Sequence, residues 1–191
     1  KGYNPDILSM TATPIPRTLA ITIHGDMDVS IIDELPKNRP SIKTKVVSEH
    51  DIDSVYELMK DEMKSGRQCF IVYPIIEESE KLDLKAAMTA YKKLNKGVFK
   101  DFTIGYIDGR IKKEDRDIEM KKFLNNEIQC IVSTTVIEVG IDIPNATVML
   151  IENADRFGLS QLHQLRGRIG RGKKTSYCFL GKSKDESTER L

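Results

Sequence analysis

The chain has 191 residues, enough for one full domain with a core plus a piece of another. With 39% hydrophobic and 31% charged residues, its composition excludes a disordered chain and fits an ordinary globular one. The formal net charge is +1, so overall basicity gives no argument for a nucleic-acid partner, and that argument has to come from motifs and local charge. In chain order, the first β-rich run is 7–10, followed by Pro14-Ile15-Pro16 at a helix start. The segment 33–40 holds two prolines and four charges without periodicity and reads as a linker. Further β-rich runs are expected at 43–47, 69–73, 103–107, 130–133, 148–152 and 177–180.

Helical patterns lie between most of these runs. The clearest is 51–64, with Ile52, Val55, Tyr56, Met59 and Met63 on one face, Asp51 placed to cap its start and Gly66 just past its end. A more polar helix is expected from Lys85 to about Leu94. Another runs from about Lys112 to Asn125, with Met120, Phe123 and Leu124 facing inward. Strand–helix alternation with short links predicts an α/β fold with a parallel sheet covered on both faces. Residues 1–34 read as the tail of a preceding domain, 35–40 as the linker, 41–181 as one complete domain and 182–191 as the start of a downstream element.

Cys69, Cys130 and Cys178 sit singly in apolar runs, without zinc-site spacing, and read as buried free thiols of a reducing compartment. No run approaches the roughly 20 apolar residues that span a membrane. The chain opens Lys-Gly-Tyr-Asn-Pro-Asp, with neither an initiating Met nor a signal peptide, and is read as a cytoplasmic fragment of a longer protein.

Three strings carry chemistry. The first is Thr11-Ala12-Thr13-Pro14-Ile15-Pro16-Arg17-Thr18. The second runs from Ser133-Thr134-Thr135 through Gly140 and Asp142 to Pro144. The third runs from Gln161 through Gln164, Arg166, Gly167, Arg168, Gly170 and Arg171 to Gly172. Residues 166–174 hold five positive charges and no acid. Arginines suit planar phosphate recognition and the charge of a transferring phosphoryl group. Three apart, Arg168 and Arg171 would share a face if they lay on a helix. The glycines let the backbone approach a ligand or turn off the helix. A solvated basic helix end is the other reading of the same residues. In the second string, hydroxyls following a buried strand suit contacts to backbone phosphates. Ligands of open α/β sheets collect at the carboxyl ends of strands. Alternatively, the threonines are caps and Asp142 begins a turn.

In this order and spacing, the three strings closely resemble motifs III, V and VI of superfamily 2 helicases. Those enzymes hold ATP in a cleft between two RecA-like domains. The resemblance implies a RecA-like parallel sheet with helices on both faces, here the second motor domain. The longer strings, with Ile32-Asp33-Glu34-Leu35-Pro36 and Asn153-Ala154-Asp155-Arg156-Phe157, look most like the RecG family, which remodels stalled replication forks and Holliday junctions. The transcription-repair coupling factor is the rival within the class, and a non-catalytic DNA-binding scaffold the rival outside it.

By motif position, the resemblance implies Arg171 as the main arginine finger, Arg168 as its partner, and Gln164 holding nucleotide or attacking water. Gly140, Asp142, Gly167 and Gly170 would line the nucleotide side, Thr134 and Thr135 would touch the DNA backbone, and Thr11 and Thr13 would couple ATP state to closure. The implied cofactor is ATP with Mg²⁺, the metal held by the first motor domain. The implied partners are branched double-stranded DNA and the intramolecular first motor and wedge domains, with no membrane, in the bacterial cytoplasm at the nucleoid. Asp108-Gly109 departs from the His-Gly that relatives often carry, and Asp108 is read as a cap of the helix after it. No Gly-x-x-x-x-Gly-Lys-Ser/Thr string occurs, so this chain alone is expected to be inactive as an ATPase. His163 is read as packing or hydrogen bonding rather than as a base. Lys92, Lys93, Lys96 and Lys100 are read as a solvated face, with a DNA contact as the alternative.

Overall fold

The short β-branched and apolar runs do become strands. In the computed structural model, which describes residues 30, 32, 40–75, 79–134 and 143–183, six of them form one sheet. They are β1 (Ile42–Val47), β2 (Gln68–Tyr73), β3 (Ile104–Ile107), β4 (Cys130–Thr134), β5 (Ala146–Ile151) and β6 (Ser176–Gly181). The order across the sheet is β1-β6-β5-β2-β4-β3, and every pairing is parallel. The helices are α1 (Ile52–Lys64), α2 (Glu80–Lys96), α3 (Lys113–Leu124) and α4 (Leu159–Arg166). The chain divides into two units, Lys1–Pro36 and Lys37–Leu191, and all of these elements belong to the second. The expected strand at 7–10, most of the linker and nearly all of 182–191 lie outside the described residues.

Period-2 alternation sorts the strand side chains into two cores. Cys69, Ile71, Cys130, Val132, Val148 and Leu150 face one side, where α1 (Val55, Met59, Met63) and α2 (Ala87, Leu94) cover them. Phe70, Val72, Ile131, Met149 and Ile151 face the other, under α3 (Met120, Phe123) and α4 (Leu165). The central strands are therefore buried on both faces, as a parallel sheet requires. Edge strand β1 instead exposes Lys43 and Lys45, which discourage further strand pairing. Truncating a core side chain such as Met59, fully buried, costs about 2–5 kcal/mol.

Several local expectations need correction. Leu124 is 47% exposed, because it ends α3 one position beyond the buried Phe123. Asp51 does not cap α1. Its carboxylate turns back to accept from the Ser48 hydroxyl at 2.9 Å, within a short 3-10 turn that precedes the helix. Asp108 does not cap α3, which starts at Lys113. Its Oδ1 accepts from the Arg110 N–H at 2.9 Å and its Oδ2 from the Arg110 guanidinium at 2.7 Å and the Tyr106 hydroxyl at 3.1 Å. Burial works against that charge, but these three donors outweigh it and hold the Asp108 carboxyl below its ordinary range. The polar helix is longer than expected, 80–96 rather than 85–94.

The three cysteines are free and buried, and burial raises all three thiols, Cys178 to about 12. Among the described residues no helix is long and apolar enough to cross a membrane.

Candidate functional site

In a parallel sheet all strand carboxyl ends share one edge, and each covering helix returns the chain to the other. Helix α4 starts beyond the carboxyl end of β5 and runs back, so the residues after it lie at the amino edge. There the chain does not continue as helix. The N–H of Arg168 bonds to the Leu165 carbonyl at 2.9 Å in a tightened final turn, and Gly170 has φ +69°, which ends it. Arg168 and Arg171 therefore do not share a helix face, as their spacing alone allowed. They sit on a loop whose shape is fixed by glycine.

Two close approaches fix that loop. A Cβ on Gly170 would lie 2.7 Å from Cγ1 of Ile42, the first residue of β1. A Cβ on Gly172 would lie 2.5 Å from the carbonyl oxygen of Pro144, just before β5. The loop is thus pinned against the amino ends of β1 and β5. Arg171 is exposed, and its Nε donates to the Gly167 carbonyl at 3.2 Å. Arg168 is half-buried and Gln164 is exposed on α4. His163 Nδ1 lies 3.2 Å from the Arg166 guanidinium, a hydrogen-bonding place rather than that of a base.

Pro144 ends the second string, so the structure joins the end of that string to the third. Gly140, Asp142 and Thr135, together with Thr11 and Thr13, lie outside the described residues. Thr134 ends β4 at the opposite, carboxyl edge. It is fully buried, and neither its hydroxyl nor that of Ser133 has a hydrogen-bond partner among the described residues. The carboxyl-edge rule for ligands applies to Thr134 but not to the arginine loop, which the return of α4 carries to the other edge.

The carboxyl edge holds charged groups that sequence reading missed. Arg156 donates to Asp83 Oδ1 at 3.0 Å and to the Ser79 hydroxyl at 3.2 Å, tying the turn after β5 to the start of α2. Asp155 accepts from the Ser183 N–H at 2.9 Å and its hydroxyl at 2.8 Å, tying the same turn to the end of β6. The string Asn153–Phe157, with Asn153 in the left-handed region, therefore has a structural role in locking three elements together. Beside it, burial raises the Glu152 carboxyl, against the hydrogen bond from Tyr56 that favours its charged form, and Glu49 adds to the rise. At the amino edge a different network ties α1 to the sheet. Glu62 accepts from the Arg67 guanidinium and from the Thr147 hydroxyl, the latter at 2.5 Å. Burial opposes the Glu62 charge, but these donors hold its carboxyl below the ordinary value. Among the described residues no group of three or more His, Cys, Asp or Glu side chains is placed to hold a metal.

Comparison with known proteins adds the family. The model of the helicase conserved C-terminal domain matches residues 50–173. The ATP-dependent DNA helicase RecG of Synechocystis sp. is 57% identical over 180 residues, which are 94% of this chain and 22% of that protein. RecG of Thermotoga maritima is 50% identical over 193 residues, covering 100% of this chain and 25% of the relative. Among solved structures, RecG bound to a three-way DNA junction superposes with a TM-score of 0.75 at 47% identity, over 90% of this chain and 22% of that one. The chain thus spans about a quarter of the length of the relatives it matches.

Proposed function

Because the chain belongs to the family of helicase conserved C-terminal domains and matches RecG over nearly its whole length, we propose that it is the second motor domain of a RecG-like, ATP-dependent double-stranded DNA translocase. The first motor domain, a wedge domain and the Mg²⁺ ligands would belong to the rest of a protein of the relatives' length. Replication forks and Holliday junctions would be its substrates, in the bacterial cytoplasm at the nucleoid. Relatives at 50–57% identity bearing the RecG name favour this reading over a transcription-repair coupling factor.

The observation that carries the proposal is the arginine loop, with two guanidinium groups on a backbone fixed by Gly170 and Gly172 at one edge of the sheet. Planar donors held in place before reaction suit the charge that spreads over a transferring phosphoryl group. ATP would supply that group from the facing motor domain. Arg171 would place its fork on the phosphates as the domains close, Arg168 would add a second cation, and Gln164 would orient nucleotide or water. Gly140, Asp142, Gly167 and Gly170 would line this side of the cleft, and Thr11 and Thr13 would report closure to the first domain. Thr134, at the other edge, and Thr135 would touch the DNA backbone, which would separate the step along DNA from hydrolysis.

The test is DNA-stimulated ATPase of the full-length protein with Arg171→Ala, measured beside nucleotide affinity and fork binding. Turnover is expected to fall about 10³–10⁵-fold, or roughly 4–7 kcal/mol, with ATP and fork affinity largely kept. Near-normal turnover, or loss of DNA affinity alone, would assign the loop to DNA contact and overturn the arginine-finger reading.

A further inference from the structure

Helix α2 carries an uneven distribution of charge. Lys81, Lys85, Lys92, Lys93 and Lys96 are all exposed, and Lys100 follows in the next turn. At 3.6 residues per turn, the five helical lysines fall within an arc of about 120°. The centre of that arc lies opposite the buried line of Asp83, Leu84, Ala87 and Leu94. Among the described residues none of these six lysines makes an ion pair. On α1 both lysines are paired, Lys60 to Glu57 and Lys64 to Asp61, and on α3 Lys122 is paired to Glu119 whereas Lys113 and Lys121 make no ion pair among the described residues. The acids on α2 do not neutralise the row either. Asp83 is buried and holds Arg156, and Glu80 lies off the arc, its charge felt by Arg110. In a chain of net charge +1, this is a local excess of like charge gathered on one line.

From this we infer that the outer face of α2 is a contact for the phosphate backbone of duplex DNA, a second one beside Thr134. From Lys81 to Lys96 the row is about 22 Å long, enough for six or seven nucleotides of one strand at about 3.4 Å each. Lys81 to Lys85 and Lys92 to Lys96 are steps of about 6 Å along the axis. A line of repeated cations that make no ion pair among the described residues complements a polymer of regularly spaced anions. Leu82, Ala86 and Ala90 flank the row and line a shallow groove with Lys85, Thr89 and Lys93, an apolar strip that suits the sugar beside each phosphate. The row starts near the carboxyl edge of the sheet, the edge at which β4 ends. Such a contact fixes position without reading sequence.

This inference rests on the DNA reading proposed above, and its test separates the two. A labelled 20-base-pair duplex is titrated with the 191-residue chain between 20 and 200 mM salt, for the wild type and for Lys85→Gln/Lys92→Gln/Lys96→Gln. The log–log salt slope is expected to become shallower by about two to three, at about 0.9 per lost phosphate contact, with affinity at 50 mM salt falling at least about tenfold. Lys85→Gln and Lys96→Gln singly should each remove about one unit of slope, so the result does not depend on the triple variant folding. Duplex binding that the triple variant keeps unchanged overturns this face and leaves the DNA reading standing. A wild-type chain that binds no duplex at 20 mM salt overturns both. A glutamate-rich peptide that binds more tightly than duplex, and loses that binding in the triple variant, assigns the face to an acidic protein and overturns the DNA assignment.

Discussion

The two edges of the sheet use the same residue type in opposite ways. At the carboxyl edge Arg156 is committed to Asp83 and Ser79, and Asp155 to Ser183. These side chains hold α2, β5 and β6 together. At the amino edge Arg171 bonds a backbone carbonyl of its own loop through Nε, and it stands exposed. An arginine on a carboxylate has its charge matched by that partner, whereas a backbone carbonyl brings no charge of its own. The contrast teaches that a basic residue in a distinctive string is read by its partner, not by the string. Asn153–Phe157 and Gly167–Gly172 are equally distinctive in sequence, and the first ties its Arg156 to the buried Asp83 carboxylate whereas the second sets Arg171 on a carbonyl of its own loop.

Arginine replaced by lysine gives the sharpest contrast between the edges. In the full-length protein Arg171→Lys should recover little of the 10³–10⁵-fold loss expected for alanine, because an ammonium lacks the flat two-pronged donor set. Arg156→Lys should keep turnover near normal. Steady-state ATPase on both variants checks this, and equal losses would erase the distinction.

Gly170→Ala strikes the amino edge through its scaffold. The positive φ and the approach to Ile42 should together cost about 2–4 kcal/mol of stability, read from urea unfolding. A double-mutant cycle with Ile42→Ala should show coupling, since removing the Ile42 side chain removes the steric share. Strict additivity would mean that the loop is not pinned on β1.

Arg156→Ala should cost about 1–3 kcal/mol by leaving the buried Asp83 carboxylate without this donor, and kcat per folded molecule should stay unchanged. A fall in kcat at full folding would move Arg156 from scaffold to mechanism.

The smallest effect belongs to Glu152, whose carboxyl is raised by burial. A raised carboxyl favours the fold while protonated, below the unfolded carboxylate value of about 4.3, and loses that contribution as pH rises through its folded value. Glu152→Gln should therefore raise the melting temperature at pH 8 and leave it nearly unchanged at pH 4. A larger gain at pH 4 than at pH 8 would show the sign to be wrong. Glu62, held below its ordinary value, works the other way, adding stability that is lost as acid protonates it.

Much of the fold was legible because its signals are local. Alternating apolar strands, the 3.6-residue pattern of α1 with Val55, Met59 and Met63 inside, and Gly66 at φ +77° all follow from steric and burial rules that act within a few residues. The three strings, by order and spacing, were enough to point to the helicase family that the comparisons report. Sequence could not decide on which edge of the sheet each string would lie. That depends on the return of α4 across the sheet, which takes Arg168 and Arg171 to the amino ends and leaves Thr134 at the carboxyl ends. Nor could it decide which charges would be paired. Asp83 and Arg156 are 73 residues apart, and Asp155 and Ser183 28 apart. Such pairings exist only once the chain has folded, because they join residues that no local rule brings together. The same holds for Gly170 and Gly172, whose need for a missing side chain comes from Ile42 and Pro144, placed against them by the sheet.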